Sequence, residues 1–307
     1  MQWKQIKTLF ILCFLILDIY LLVMLTNKED ESEFMLPETP DATFEQQLES
    51  EDITISADLP EGEFNQPYIT LSRQSFTEEE LAFFDDQDNQ EMEVMHDNII
   101  LSRFEDPVPI PKDADSPSIQ EIITDRVLLS ENYTFDSWNK DMNVLVFFQK
   151  KNDRPIYYNQ NGLLLVYLND ENEMIFYTQT MLGDASPREE MKSLIEPMGA
   201  IQTLFDGNRL ENGDEITDVN MGLHTRLPLE SGKQVFSPTW TVTVNDEENF
   251  YVNAIENQIV PSDELTFITG EVTHTIETIQ NLDDNSEMAD FVLRHLNQKL
   301  SSTQQSE

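Results

Sequence analysis

Cysteine is almost missing from this chain: of 307 residues, Cys13 is the single one. It stands inside an apolar run, so the remainder can form no disulfide and offers no thiolate chemistry. Positive charge is scarce too. Eighteen Lys and Arg stand against 59 Asp and Glu, for a formal net charge of −41. All of the excess lies beyond residue 28. A charge of that sign and size argues against nucleic acid or anionic lipid surfaces as partners. The four histidines, His96, His224, His274 and His295, never stand at metal-ligand spacing, and His274 and His295 read as structural side chains. No H-E-x-x-H, G-x-S-x-G, S-x-x-K or Gly-rich phosphate loop occurs. The acidic run Asp85–Glu91 lacks the turn glycine of a calcium loop and reads as a solvated loop. Chance carboxylate pairs of the glycosidase kind have no companion motif. These absences point away from an enzyme, and no cofactor or metal is implied.

What is present begins at the N-terminus. Thr8 to Leu25 is apolar except for Thr8 and Asp18. At about 1.5 Å per residue it spans roughly 27 Å as a helix, close to a hydrocarbon core of about 30 Å. Lys4 and Lys7 precede it and Glu29, Asp30, Glu31 and Glu33 follow. The positive-inside rule then puts the N-terminus in the cytoplasm and the rest outside. No small-residue cleavage site ends the run, so it reads as an uncleaved anchor rather than a signal peptide. Cys13, preceded by Phe10-Ile11-Leu12, does not fit a lipobox. An acid within a span costs about 2.5–3.5 kcal/mol by insertion scales. Asp18 therefore either snorkels to the outer headgroups or makes an interhelical contact. At helical spacing its face holds Ile11, Phe14, Leu15, Leu21, Leu22 and Leu25.

The pattern Trp3, Lys7-Thr8, Phe10-Ile11, Phe14-Leu15, Leu17-Asp18 and Leu21-Leu22 resembles the start of the YycI family. The M-x-W-x-x-x-K-T opening with an Asp at this depth carries most of that likeness. From Ala200 through the P-x-W-x-V piece at Pro238 and the Y-V-N-A piece at Tyr251, the chain is also similar to the C-terminal block of YycI and its sister family YycH. Members of the family are single-pass regulators of the YycG (WalK) sensor histidine kinase in low-GC Gram-positive bacteria. The resemblance implies a non-enzymatic membrane regulator working with that kinase and a YycH-like partner, with effects on cell-wall metabolism. The expected mechanism is association of the Thr8–Leu25 helix with the kinase's own membrane helices through the Asp18 face from Ile11 to Leu25, with Trp3, Lys4 and Lys7 at the cytoplasmic end. The rival reading is an extracytoplasmic ligand-binding or inhibitor module whose helix is only an anchor. At fold level the C-terminal block resembles PepSY-type inhibitor domains.

Beyond the span, residues 29–51 read as an acidic tether, broken only by a weak Phe44–Leu48 pairing. Strands are expected at Ile53–Ala57, Tyr68–Ser72 and around Ile99–Leu101. Thr77 with Glu80 makes a capping box for a short helix. Glu105–Ser118, with four prolines, reads as an extended connector, followed by a helix carrying Ile119, Ile122, Ile123 and Val127. Asn143–Gln149 is a strand. Asn161-Gly162 marks a turn into a hairpin, Gly162–Leu168 with Met174–Met181. Pro197 opens a helix that Gly207 ends. Strands at Ile216–Leu223, Pro238–Val244 and Phe250–Ile255 follow, with Trp240 and Tyr251 as core residues, and Ser286–Leu300 forms an amphipathic helix. The expected fold class is α+β: one transmembrane helix, then extracytoplasmic antiparallel sheets packed with helices. The expected parts are 1–28, 29–51, a first outer domain 52–150, a second 151–280 and a polar tail 281–307.

Overall fold

A computed structural model describes residues 43–228, 232–281 and 286–303, together with Lys7, Leu12, Phe14, Leu15 and Leu17. The contacts divide the chain into two compact units, residues 1–50 and residues 51–307. In the first, Lys7, Leu12, Phe14, Leu15 and Leu17 are helical, and Phe44–Ser50 forms helix α1 with Leu48 buried. The Phe44–Leu48 pairing in the acidic stretch is thus the i, i+4 mark of a short helix.

The second unit is built on fourteen strands joined in one sheet. In chain order they are β1 Thr54–Ile55, β2 Asn65–Ser72, β3 Gln90–Met95, β4 Ile99–Pro109, β5 Tyr133–Asn139, β6 Val144–Lys151 and β7 Arg154–Tyr157. Then come β8 Leu163–Leu168, β9 Glu173–Thr180, β10 Ser186–Ser193, β11 Glu215–Pro228, β12 Lys233–Val244, β13 Glu248–Asn253 and β14 Gln258–Val260. The helices are α2 Glu78–Leu81, α3 Ser116–Thr124, α4 Pro197–Asp206, α5 Glu264–Gln280 and α6 Glu287–Thr303. Across the sheet the order is β10-β2-β12-β11-β7-β6-β8-β9-β4-β3, with β1 on β11, β5 on β6, and β13 then β14 on β12. Pairing is antiparallel except for β1 and β7 against β11. The molecule is a mixed α+β protein dominated by a large sheet.

The unbroken apolar runs of β6 and β8 are explained by helices on both faces. Leu145, Phe147, Leu164 and Val166 pack with Ile119 and Ile123 of α3. Their alternates Val144, Val146, Phe148, Leu163 and Leu165 pack with Ile268, Val272 and Ile276 of α5 and Met288, Val292 and Leu296 of α6. A period of two therefore sorts side chains between two cores instead of between core and water. On the other half of the sheet, α4 packs on β12, β13 and β14, burying Ala200, Ile201 and Leu204. Trp240 and Tyr251 are each 1% exposed. The Trp240 indole donates to the Ile195 carbonyl at 2.9 Å and meets Phe64 edge-on at 5.1 Å.

Several sequence expectations change in detail. The capping box at Thr77 forms as expected, with both reciprocal bonds present. The proline-rich connector does not stay outside the sheet: β4 runs through Pro107 to Pro109. It can because β3 pairs β4 only as far as Phe104, so the later prolines lie beyond that ladder, past a register shift against β9. The following helix starts earlier than its apolar stripe suggests. Asp115 caps it by accepting from Ser118 N at 3.0 Å, and Pro117 sits in the first turn. Gly207 ends α4 at φ −81°, outside the left-handed region. The helix α5 has no counterpart among the expected elements. Its sequence, ELTFITGEVTHTIETIQ, is rich in β-branched residues that obscure an i, i+4 stripe of Ile268, Val272, Ile276 and Ile279.

Gly222 on β11 allows Tyr157 to lie against the strand: a Cβ there would overlap the Tyr157 ring and sit 3.1 Å from the Pro155 carbonyl oxygen. Gly199, inside α4, has only the Ile195 Cβ at 3.6 Å, an ordinary contact. Gly222→Ala is expected to lower the unfolding free energy by about 1–3 kcal/mol through overpacking. Gly199→Ala is expected to raise it by about 0.5–1 kcal/mol through helix propensity. Urea midpoints of the two variants, measured side by side, check the opposite signs.

Candidate functional site

Of the face expected in the membrane, Lys7, Phe14 and Leu15 are described; all three are helical, and Phe14 and Leu15 are more than half exposed. Trp3, Lys4, Ile11, Asp18, Leu21, Leu22 and Leu25 lie outside the described residues. Among the described residues no helix is long and apolar enough to cross a membrane. The structural geometry available for function therefore belongs to residues 51–307.

A first candidate lies where β5 meets the start of α5. A β-bulge in the β5–β6 ladder falls between Phe135 and Ser137 and leaves Asp136 out of register. Asp263 caps α5 by accepting from Thr266 N at 2.9 Å, which sets Glu264 at the first position of the helix. Ser137 Oγ donates to one oxygen of Glu264, and Asn139 Nδ2 donates to the other at 2.8 Å. Asp136 is thus half-buried beside a carboxylate that is itself held in place. Burial, and next the Glu264 charge, push its carboxyl up to about 7. Behind the pair stands a run of rings. Tyr157 and Tyr251 have centroids 4.7 Å apart, Tyr158 lies 5.6 Å from Tyr251, and Tyr158 lies 5.3 Å from Phe267 of α5. Burial first, then Asp136, push the Tyr158 and Tyr251 hydroxyls above the ordinary phenol range. Nearby, His224 approaches the Thr225 carbonyl oxygen with Nδ1 at 3.1 Å, while burial pushes its imidazole below the ordinary range. The arrangement can hold or release a proton between sheet and helix.

A second candidate is a polar cleft of about 490 Å³ between the β5–β6 turn, the β8–β9 turn and α6. Its organiser is Lys299. The ammonium donates to the carbonyls of Met142 at 2.7 Å, Leu168 at 2.8 Å and Asn143 at 3.1 Å. Asn143 joins the two turns further, donating to Asn169 O at 2.7 Å and accepting from Trp138 Nε1 at 2.9 Å. Burial pushes Lys299 down to about 8. The donor set is that of a tether: one cation ties the last helix to two turns.

Among the described residues no three His, Cys, Asp or Glu side chains group closely enough to hold a metal. The acidic run at 85–91 is used structurally. Gln87 donates to the Asp125 carbonyl at 3.2 Å and Gln90 to that of Arg126 at 3.1 Å, joining the start of β3 to the end of α3. His274, expected to be structural, is exposed on α5; His295 contacts the Phe291 carbonyl oxygen at 2.8 Å and packs on the Phe291 ring. Asp136, Glu264 and Lys299 escaped the sequence reading. Signals existed: an acid inside the strand-like run Tyr133–Trp138, and Asp263 three residues before Thr266 at the head of an apolar stripe.

Fold and sites together define a mixed α+β sheet protein whose built features are a carboxyl pair and polar tethers. Comparison with known families then makes the assignment specific. The family model described as "YycI protein" matches residues 32–255, and the chain belongs to the YycI family. No curated protein matches the sequence. Among solved structures, an uncharacterized protein from Eubacterium rectale aligns at 10% identity over 69% of this chain and 91% of its own, with a TM-score of 0.40. YycH from Bacillus subtilis aligns at 13% identity over 67% of this chain and 54% of its own, with a TM-score of 0.34.

Two outcomes follow from these sites. Folded Asp136 keeps its proton to about pH 7, whereas an unfolded aspartate releases it near pH 3.9. Between those values the folded chain binds more protons, so the stability from this group is present at low pH and is lost as pH rises towards 7. Asp136→Asn removes that loss. Its urea midpoint should exceed the parent's by a margin that grows from pH 5 to pH 8, reaching on the order of 2 kcal/mol. Glu271, raised to about 7 by burial, titrates with the same sign in both proteins, so the comparison is made at each pH. Separately, Lys299→Met should cost about 1.5–3 kcal/mol through three carbonyls left without their charged donor. Hydrogen exchange should accelerate in α6 and in the 140–143 and 169–172 turns before it does in β11 or β12.

Proposed function

We propose that this chain is a non-enzymatic, membrane-anchored regulator of a YycG/WalK-type sensor histidine kinase, acting with a YycH-like partner and so affecting cell-wall metabolism. The observation that carries the reading is the family match over residues 32–255. The N-terminal pattern Trp3, Lys7-Thr8 and Asp18 supports it from outside the matched range. In this proposal Thr8–Leu25 crosses the membrane once with the N-terminus in the cytoplasm, because Lys4 and Lys7 lie on one side and the acidic stretch on the other. The working surface is the face Ile11, Phe14, Leu15, Asp18, Leu21, Leu22 and Leu25, packed on the kinase's own membrane helices. A helix that fits one signalling state of the kinase better than the other shifts the balance by that difference in contact energy. Asp18 supplies the polar contact that an apolar helix without small-residue grooves otherwise lacks. The outer unit holds the partner and positions the span.

Exchange of residues 8–25 for an unrelated membrane helix, with the outer unit intact, is expected to abolish the effect on kinase output. Asp18→Leu is expected to change a kinase-dependent reporter several-fold while insertion stays normal. Unchanged output after the exchange would remove the helix-contact mechanism and leave the anchor-only reading.

A further inference from the structure

The seam between the two halves of the sheet contains a groove of about 260 Å³ that the proposed mechanism does not use. It opens where β12 changes neighbours. β12 pairs β2 from Lys233 to Phe236 and β13 from Thr239 to Val244; between them stands Pro238, without an N–H. The floor is apolar, made by the cross-strand pair Leu223 and Pro238 and by Ile69 of β2. The wall is the β6–β7 hairpin, a two-residue turn at Asn152-Asp153 with φ of 52° and 60°. That turn sets Lys151 and Arg154 directly opposite one another, both lining the groove.

Both cations are half-buried, and among the described residues neither takes part in an ion pair. Arg154 donates to Gln66 Oε1 across the groove, which fixes its guanidinium, and Asp184 acts on Lys151 from beyond ion-pair distance. In a chain with 59 acids and 18 basic residues, two adjacent cations without a carboxylate are unexpected. Partial burial pushes both below their ordinary pKa values, and Asp184 offsets only part of that push on Lys151. A carboxylate can take a guanidinium through two parallel bonds and an ammonium beside it. The apolar floor then accepts whatever carbon carries the carboxylate, in a volume at the small end for ligand sites.

We propose that this groove binds a small amphiphilic carboxylate, its head on Lys151 and Arg154 and its short apolar body on Ile69, Leu223 and Pro238. A free organic acid and the C-terminal carboxylate of a peptide with an apolar last residue share that chemistry. The site does not depend on the kinase reading, and its failure would leave that reading intact.

The test is calorimetric titration of the full chain in nanodiscs of neutral lipid. N-acetyl-leucine, N-acetyl-leucinamide, acetate and a tripeptide ending in free leucine are added separately. Saturable binding of N-acetyl-leucine is expected, at least about tenfold tighter than that of the amide, which lacks the charge, or of acetate, which lacks the body. The Lys151→Gln, Arg154→Gln double variant should lose about tenfold or more in affinity, with thermal unfolding unchanged. If the double variant unfolds, Lys151→Gln alone should show a smaller loss in the same direction. A tripeptide that binds more tightly than N-acetyl-leucine assigns the groove to peptide ends; a weaker one assigns it to free acids. No saturable binding, equal binding of acid and amide, equal binding of acetate, or affinity indifferent to the substitutions overturns the proposal.

Discussion

The strand β12 holds residues 51–307 together. One edge pairs β11 from Gln234 to Val244, and the other edge is shared first by β2 and then by β13. Along both shared stretches the backbone groups of β12 are therefore committed on both sides, which is what a buried strand requires. Pro238 is tolerated in that position because its missing N–H falls at the changeover between β2 and β13, where its carbonyl still accepts from Ala254 N at 2.9 Å. Trp240, two residues on, locks the same strand to the segment before α4 through the Ile195 carbonyl. The order of the rest of the sheet follows: β11 carries β7, and β7 hands the sheet on to β6.

Past that seam the constraint changes from hydrogen bonding to coverage. β6 and β8 are apolar on both faces, so each face needs a helical layer. α3 supplies one. α5 and α6 supply the other, and polar contacts fasten the start of α5 and the end of α6 to β5 and the adjoining turns: Glu264 held by Ser137 and Asn139, and Lys299 on three carbonyls. These contacts sit where a helix end would otherwise leave groups unmatched. They differ in electrical character. The Asp136–Glu264 contact is a like-charge pair that is relieved by a proton, while Lys299 is a partly buried cation that donates to three carbonyls.

Charge gives the molecule its other character. Three ion pairs occur among the described residues, all partly exposed, and pairs of that kind contribute little to stability. The acidic surface thus serves solubility and excludes polyanionic partners, while cohesion comes from the two apolar layers. For a chain in the YycI family this division is coherent. Residues 51–307 form an acidic body built on one sheet, and the N-terminal apolar run is the element proposed to cross the membrane and act on a kinase.

Local patterning carried much of the fold. The capping box at Thr77, the hairpin of β8 and β9, the strand around Trp240 and the tail helix all announce themselves through residues within a few positions of each other, because caps, turns and period-two alternation are short-range effects. The N-terminal motif and the block at Pro238 and Tyr251 pointed to the family for the same reason. Helix α5 stayed hidden because its β-branched residues favour strand locally, and only the apolar face waiting on β6 and β8 makes the helix pay. That β2, from early in the chain, lies between β10 and β12, that Asp136 meets Glu264 across 128 positions, and that Lys151 and Arg154 share a groove with Gln66 were decided by tertiary structure alone. Contacts between distant residues depend on which strands become neighbours, and that is settled by burial of whole faces rather than by any local pattern.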